Sequence, residues 1–140
     1  MHIRPFAPID TEATVQLWQA CGLTRPWNDP YKDIERKLQV QPELFLVGAD
    51  EAGTIMASVM IGYDGHRGWI NYLAVLPPCQ RQGHATRLMA EAETLLTRRG
   101  CPKLNLQIRA DNEAVIAFYA SLGYANDQTV SMGKRLIADM

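Results

Sequence analysis

Residues 83–99 leave this chain few ways to fold. Ala85, Leu88, Met89, Ala92, Leu95 and Leu96 recur there at spacings of three and four. That is the period of one long helix with a single apolar stripe. Such a stripe must lie on something. Before it, Trp69 to Val75 reads as a strand. After it, Lys103 to Arg109 reads as another, with Leu104, Leu106 and Ile108 on one face. A helix set between two strands packs on the sheet they belong to, so the chain is α/β in kind.

The remaining elements fit that frame. His2 to Phe6 is a short first strand. Asp10 or Thr11 caps a helix running to about Cys21, and Gly22 stops it. Asp29-Pro30 starts a second helix, a cap followed by proline in the first turn, and it runs to about Leu38. Leu44 to Ala49, Thr54 to Tyr63 and Trp69 to Val75 form an antiparallel meander. Its turns are Asp50–Gly53 and Asp64–Gly68. Asp111 or Asn112 caps a last helix that ends near Leu122-Gly123. A strand pair, Tyr124 to Asn126 and Thr129 to Leu136, closes the chain. The expected architecture is a single domain, 1–140, with a mixed, mostly antiparallel sheet of six to seven strands and helices on both faces.

Bulk properties exclude several classes. A formal net charge of −1 gives no general attraction to nucleic acid. No apolar run nears the roughly 20 residues of a membrane helix, so no membrane partner is expected. No charged-then-apolar leader opens the chain. Cys21, Cys79 and Cys101 are odd in number and lack paired spacing. Neither a disulfide framework nor a metal site is expected, and the reading is a cytoplasmic protein.

Chemistry gathers where the third meander strand meets the long helix, at Gln80-Arg81-Gln82-Gly83-His84-Ala85-Thr86. The first N–H groups of a helix have no partner inside it and sit at the positive end of its dipole. Such a turn can hold a pyrophosphate on backbone donors alone. Gly83 lets the backbone come close, Ala85 keeps the surface low, Thr86 adds a hydroxyl and Arg81 a charge. His84 is a spacer that can reach a phosphate. A lone glycine serves a tight strand-to-helix turn equally well. The P-loop and dinucleotide glycine patterns are both missing.

Taken with its context, Gln80 to Ala85 resembles the Q/R-x-x-G-x-G/A coenzyme A motif of the GNAT N-acetyltransferase superfamily. Downstream, Asn112, Val115, Tyr119, Gly123 and Tyr124 match that family's N-x-x-A-x-x-x-Y-x-x-x-G-F/Y segment, with Val115 in place of the small residue. The likeness covers about residues 2 to 136. The Arg25–Pro30 and Gly62–Gly68 segments look like a bacterial subgroup, the YpeA-type acetyltransferases.

The resemblance implies a sheet splayed between its fourth and fifth strands, with acetyl-CoA as cosubstrate and an amine as acceptor. Backbone of Leu73 and Val75 would meet the pantetheine arm, and the Leu73 N–H would polarise the thioester carbonyl. Backbone from Gln82 to Thr86 would grip the pyrophosphate, with Gln80 and Arg81 beside it and Asn112 touching from the next helix. Tyr119 would protonate the leaving thiolate; read from pattern alone, it serves equally as a core aromatic. A homodimer is in keeping with the family.

Several family members carry a glutamate base on the fourth strand. Trp69 stands there instead. Asp64, His66, Asp29, Glu35 or a water are the remaining base candidates. Trp27 and Asn28 could line the acceptor pocket. Cys79 has no paired base and is incidental. The missing carboxylate leaves a second reading open, a GNAT-like module that binds acyl-CoA as a sensor.

Overall fold

A computed structural model describes residues 1–139. Five strands lie in chain order across one sheet: β1 (His2–Pro5), β2 (Phe45–Ala49), β3 (Ile55–Tyr63), β4 (Gly68–Val75) and β5 (Leu104–Leu106). β1 to β4 are antiparallel neighbours, and β5 joins β4 in parallel. The parallel step requires a crossover, and the long helix supplies it.

The two faces of the sheet carry separate cores. Leu46, Val59, Ile61 and Ile70 pack with Leu88, Met89, Ala92 and Leu96 of α3 (His84–Arg98) and with Tyr119 of α4 (Glu113–Ser121). Phe45, Val47, Met60 and Ala74 pack instead with Val15, Leu17 and Trp18 of α1 (Thr11–Ala20) and Ile34 of α2 (Pro30–Lys37). β2 and β3 are almost wholly buried because alternate side chains are covered on both sides. Ring stacking ties the α1 layer down: Phe6 lies 4.3 Å from Phe45, and Trp18 lies 3.8 Å from Tyr72.

Two expectations need correction. The strand expected over Lys103 to Arg109 is only Leu104–Leu106, because pairing with β4 stops at Ile70 opposite Leu106. The closing pair, Tyr124 to Asn126 and Thr129 to Leu136, forms no strand, which leaves five strands rather than six or seven. A three-residue β5 offers little backbone to template a neighbour. The segment is held beside it by side chains instead. Lys103 Nζ and Asn105 Nδ2 each donate to Asp127 at 2.9 Å, and Gln107 Nε2 donates to Ser131. Val130 and Met132, the apolar residues of the expected strand, are 86% and 90% exposed, so their alternation buries nothing.

Inside the α1-side core, Ser58 is fully buried. It accepts from Trp18 Nε1 at 2.9 Å and donates to the Tyr72 carbonyl at 2.8 Å. Ser58→Ala strands the indole N–H and frees that carbonyl. Leaving a buried polar group unpaired costs about 1–3 kcal/mol, and urea denaturation should show a loss of that size.

Candidate active site

β4 is irregular where it matters. Ser58 pairs with Ala74 and Met60 with Asn71, so Tyr72 and Leu73 together face the single residue Val59. This is a β-bulge, which bends a strand and takes residues out of its ladder. Tyr72 carries φ +53°, a left-handed conformation rare for a bulky side chain. Stacking on Trp18 and the Ser58 hydrogen bond hold it there.

The bulge begins just past the last β4–β5 pair. From that point β4 and the chain after β5 separate, and a cleft of about 810 Å³ opens between them. Tyr72, Leu73, Ile108, Asn112 and Tyr119 line it, as do residues of the loop after α1. Tyr72 belongs to the core on the α1 side, whereas Leu73 and Tyr119 belong to the α3 side. The cleft is thus reached by side chains from both faces of the sheet.

Tyr119 is buried against Phe118 and Tyr124, whose rings meet its own edge-on at 5.1 and 5.7 Å. Its hydroxyl has no hydrogen-bond partner among the described residues. Burial alone pushes its pKa up to about 12, so the phenol stays protonated across the physiological range. Asn112 caps α4 by accepting from the Val115 N–H at 3.2 Å. Its amide Nδ2 remains free of described partners and lies at the cleft.

The turn after β4 opens with a 3₁₀ turn, Pro77–Cys79. Gln80 Nε2 donates to the Val75 carbonyl at 2.9 Å, and Cys21 Sγ reaches the same oxygen at 3.2 Å. The Val75 carbonyl and the Gln80 amide are thus engaged with each other. Arg81 and Gly83 both take left-handed backbone, φ +62° and +84°. A side-chain carbon built on Gly83 would meet nothing within 4 Å, so open space lies beside it. Backbone N–H groups of Arg81 to Thr86 find no acceptor among the described residues; the helical ladder opens with the Arg87 N–H donating to the Gly83 carbonyl at 3.0 Å. Arg81, Gln82 and Thr86 are exposed, and Ala85 packs at the edge of the core. His84 is half-buried and its Nδ1 lacks a partner. The turn continues from the end of β4 and contributes nothing to the cleft lining itself.

None of the four base candidates lines this cleft. Asp64 accepts from the N–H groups of Arg67 and His66 and from Trp69 Nε1, which holds its pKa down to about 2. It shapes the β3–β4 turn, and His66 stands exposed in the same turn. Asp29 caps α2 by accepting from Tyr31 N–H at 2.9 Å, and it borders a separate hollow of about 640 Å³. Glu35 is exposed on the outer face of α2. Trp69 is half-buried and bound to Asp64, away from the cleft. Trp27, 54% exposed, and Asn28 do line it.

Two polar groups that the sequence reading passed over stand in the cleft. Tyr72 Oη donates to Asp33 Oδ2 at 2.6 Å, and Asn28 Nδ2 donates to the same oxygen at 2.5 Å. Burial and the Asp33 carboxylate raise the Tyr72 pKa well above the tyrosine range. Asp33 lies one turn after Asp29 on the same helical face, which was the available signal. An acid in a first turn is common enough to hide it.

Comparison with known proteins matches residues 11–124 to the model of the acetyltransferase (GNAT) family. An acetyltransferase of Yersinia enterocolitica is 52% identical over 139 residues, covering 99% of this chain and 98% of its own. Among solved structures, Ard1 from Thermoplasma volcanium superposes with a TM-score of 0.79 at 26% identity, covering 89% of this chain and 82% of its own. The ribosomal-protein-S18-alanine N-acetyltransferase from Escherichia coli gives 0.71 at 26% identity, covering 87% and 76%.

A phenol shifted by burial alone titrates visibly. Subtracting the alkaline ultraviolet titration of Tyr119→Phe from that of the parent should leave one phenolate with a midpoint near 12. A midpoint near the ordinary value of about 10 would place that hydroxyl in water. Because the folded pKa is raised, stability from this group is full below pH 10 and is lost as pH rises through 12.

Proposed function

This chain belongs to the acetyltransferase (GNAT) family and is an acyltransferase, and from that premise we propose that it is an acetyl-CoA-dependent N-acetyltransferase acting on a primary amine. The amine attacks the thioester directly. Residues 1–140 act as one transferase domain. The observation that carries this reading is the Tyr119 hydroxyl, protonated and without a described partner, inside the cleft where β4 and β5 part.

Acetyl-CoA brings an activated carbonyl and a leaving thiolate. The residues supply the rest. Backbone N–H groups of Gln82 to Thr86, with Arg81 beside them, hold the pyrophosphate at the positive end of α3. Pantetheine runs from there along β4 past Val75 and Leu73, and Asn112 meets it from α4. Leu73, released from the β3 ladder by the bulge, points its N–H at the thioester oxygen and stabilises charge as it develops. Tyr119 gives its proton to the departing sulfur. With an ordinary thiol near pKa 8.5, a free thiolate is a weaker base than the phenolate left behind. That transfer runs uphill, and product release and solvent must complete it.

A module that only held the thioester would have no use for an unpartnered acid in the cleft, and this weighs against the sensor reading. The family-level glutamate is missing at Trp69, so the proton acceptor for the amine must come from elsewhere.

Two variants test the assignment. Tyr119→Phe should lower kcat at least tenfold while calorimetric affinity for coenzyme A stays within about twofold. Equal losses in both would mean that Tyr119 only packs. Gly83→Val should abolish coenzyme A binding in a folded protein, since its side chain enters the open space beside the donors. An unchanged affinity would refute the phosphate position.

A further inference from the structure

We infer that Asp33, acting through the Tyr72 hydroxyl, is the proton acceptor for the incoming amine, and that Asn28 completes the acceptor site with them. The inference rests on the transferase reading above and extends it to the half of the reaction that reading leaves open.

The three side chains come from different elements. Asn28 belongs to the loop before α2, Asp33 to α2, and Tyr72 to the β4 bulge. All three line the cleft. Asp33 is one-fifth exposed, enough for exchange with water yet largely enclosed. Its Oδ2 accepts from both Tyr72 and Asn28. Among the described residues its Oδ1 has only the Arg36 guanidinium, at 3.7 Å. Asn28 Nδ2 also lies 3.2 Å from Tyr72 Oη. A tyrosine oxygen can donate once and accept twice. With one proton given to Asp33 and one accepted from Asn28, it keeps one lone pair for an N–H of the acceptor. Asn28 is itself oriented by Arg135 Nη2, which donates to its Oδ1 at 2.9 Å.

Tyr72 and Leu73 are consecutive in one bulge, so the proposed proton acceptor and the proposed carbonyl donor are rigidly linked. The faces are opposite. Tyr72 sits with the α1-side core, and Tyr119 with the α3-side core. The amine therefore enters from the α1–α2 side, and the leaving sulfur is met from the other. Exposed Trp27 at the cleft gives the acceptor an aromatic face to rest on, which suits an ammonium or an apolar group beside it.

The proton balance closes. An ordinary alkyl ammonium has a pKa of about 10 and carries no lone pair at neutral pH. One of its protons passes to Tyr72 Oη as the Tyr72 proton passes to Asp33 Oδ2. The neutral amine forms the N–C bond, and the C–S bond breaks. The sulfur takes a proton from Tyr119, and the second amine proton restores Tyr119 through water. Asp33 then loses its proton to solvent.

Charged and titratable groups facing Asp33 could shape a pH profile as well. They are Arg36 and Asp29 of α2 and its cap, Asp139 and Arg135 from the C-terminal segment, Tyr72 from β4, Cys21 at the end of α1, and Arg25 of the loop. The test must therefore separate the acceptor from its surroundings. Asp33→Asn keeps shape and hydrogen bonds while removing the basic oxygen. Parent and variant are assayed with acetyl-CoA against phenethylamine, spermidine, lysine and an unblocked tetrapeptide, from neutral to alkaline pH. With the amine that the parent turns over best, the variant should lose at least about a hundredfold in kcat at neutral pH. KM for acetyl-CoA should stay within twofold. The deficit should close as pH rises and the amine deprotonates by itself.

An unchanged kcat and pH profile, or a deficit that stays constant with pH, would overturn the role of Asp33 and leave the transferase reading standing. A parent that acetylates none of these amines would overturn that reading and this inference with it. Should Asp33→Asn fail to fold, Tyr72→Phe decides: the ring still stacks on Trp18, and the same alkaline recovery is expected. Glu35→Gln, on the outer face of α2, should behave as the parent does.

Discussion

One buried chain of contacts holds the rest in place: Trp18 stacked on Tyr72, with Ser58 hydrogen-bonded to both. Remove it, and nothing fixes a bulky residue in left-handed backbone. Such a conformation costs roughly 1–2 kcal/mol and persists only where the surroundings over-determine it. Here they do. A β-branched or regular residue in that strand would continue the ladder with β3. β4 would then run straight beside the chain after β5, and the gap that makes the cleft would close. The bulge turns a continuous sheet edge into an opening without breaking either core.

The second constraint is electrostatic and lies just beyond the same end of that strand. Six consecutive N–H groups, Arg81 to Thr86, run through the turn into the start of α3, and the described residues leave them unpaired. Two of those residues, Arg81 and Gly83, have left-handed backbone, which turns successive donors toward a common side. The Gln80 side chain closes on the Val75 carbonyl, so the loop cannot satisfy its donors by folding back onto β4. On the proposed reading, an anion would complete this turn at little cost in reorganisation.

Much of this was legible in the sequence, and the reasons differ by element. The α3 stripe was legible because six apolar residues repeat at helical spacing and do bury on the sheet. Gly83 was legible as the turn glycine between strand and long helix, and it does take left-handed backbone there. Tyr119 stood out only through the pattern around it. The bulge was invisible: Tyr72 and Leu73 read as ordinary alternating strand residues, and the register that separates them is set by Ser58 and Trp18, fourteen and fifty-four residues earlier. Asp33 carried only the weak signal of its spacing from Asp29, because the partner that gives it meaning lies in another element. The closing strands failed differently. Val130, Met132 and Leu136 have strand-like chemistry, but β5 is too short to pair with them. Propensity without a partner forms no ladder.

Two tyrosines reach one cleft, and their surroundings divide the work between them. Both phenols are held protonated by burial. Tyr72 has already committed its proton to a carboxylate at 2.6 Å, so it cannot hand that proton to a leaving sulfur. It can only pass a proton onward, toward Asp33. Tyr119 has no acceptor within the described residues, so its proton is the one available for donation. Exchanging the two environments would exchange the roles. On the proposed mechanism the direction of proton flow, in on the α1–α2 side and out on the α3–α4 side, follows from the Asp33 carboxylate lying against Tyr72 rather than from any difference between the two side chains.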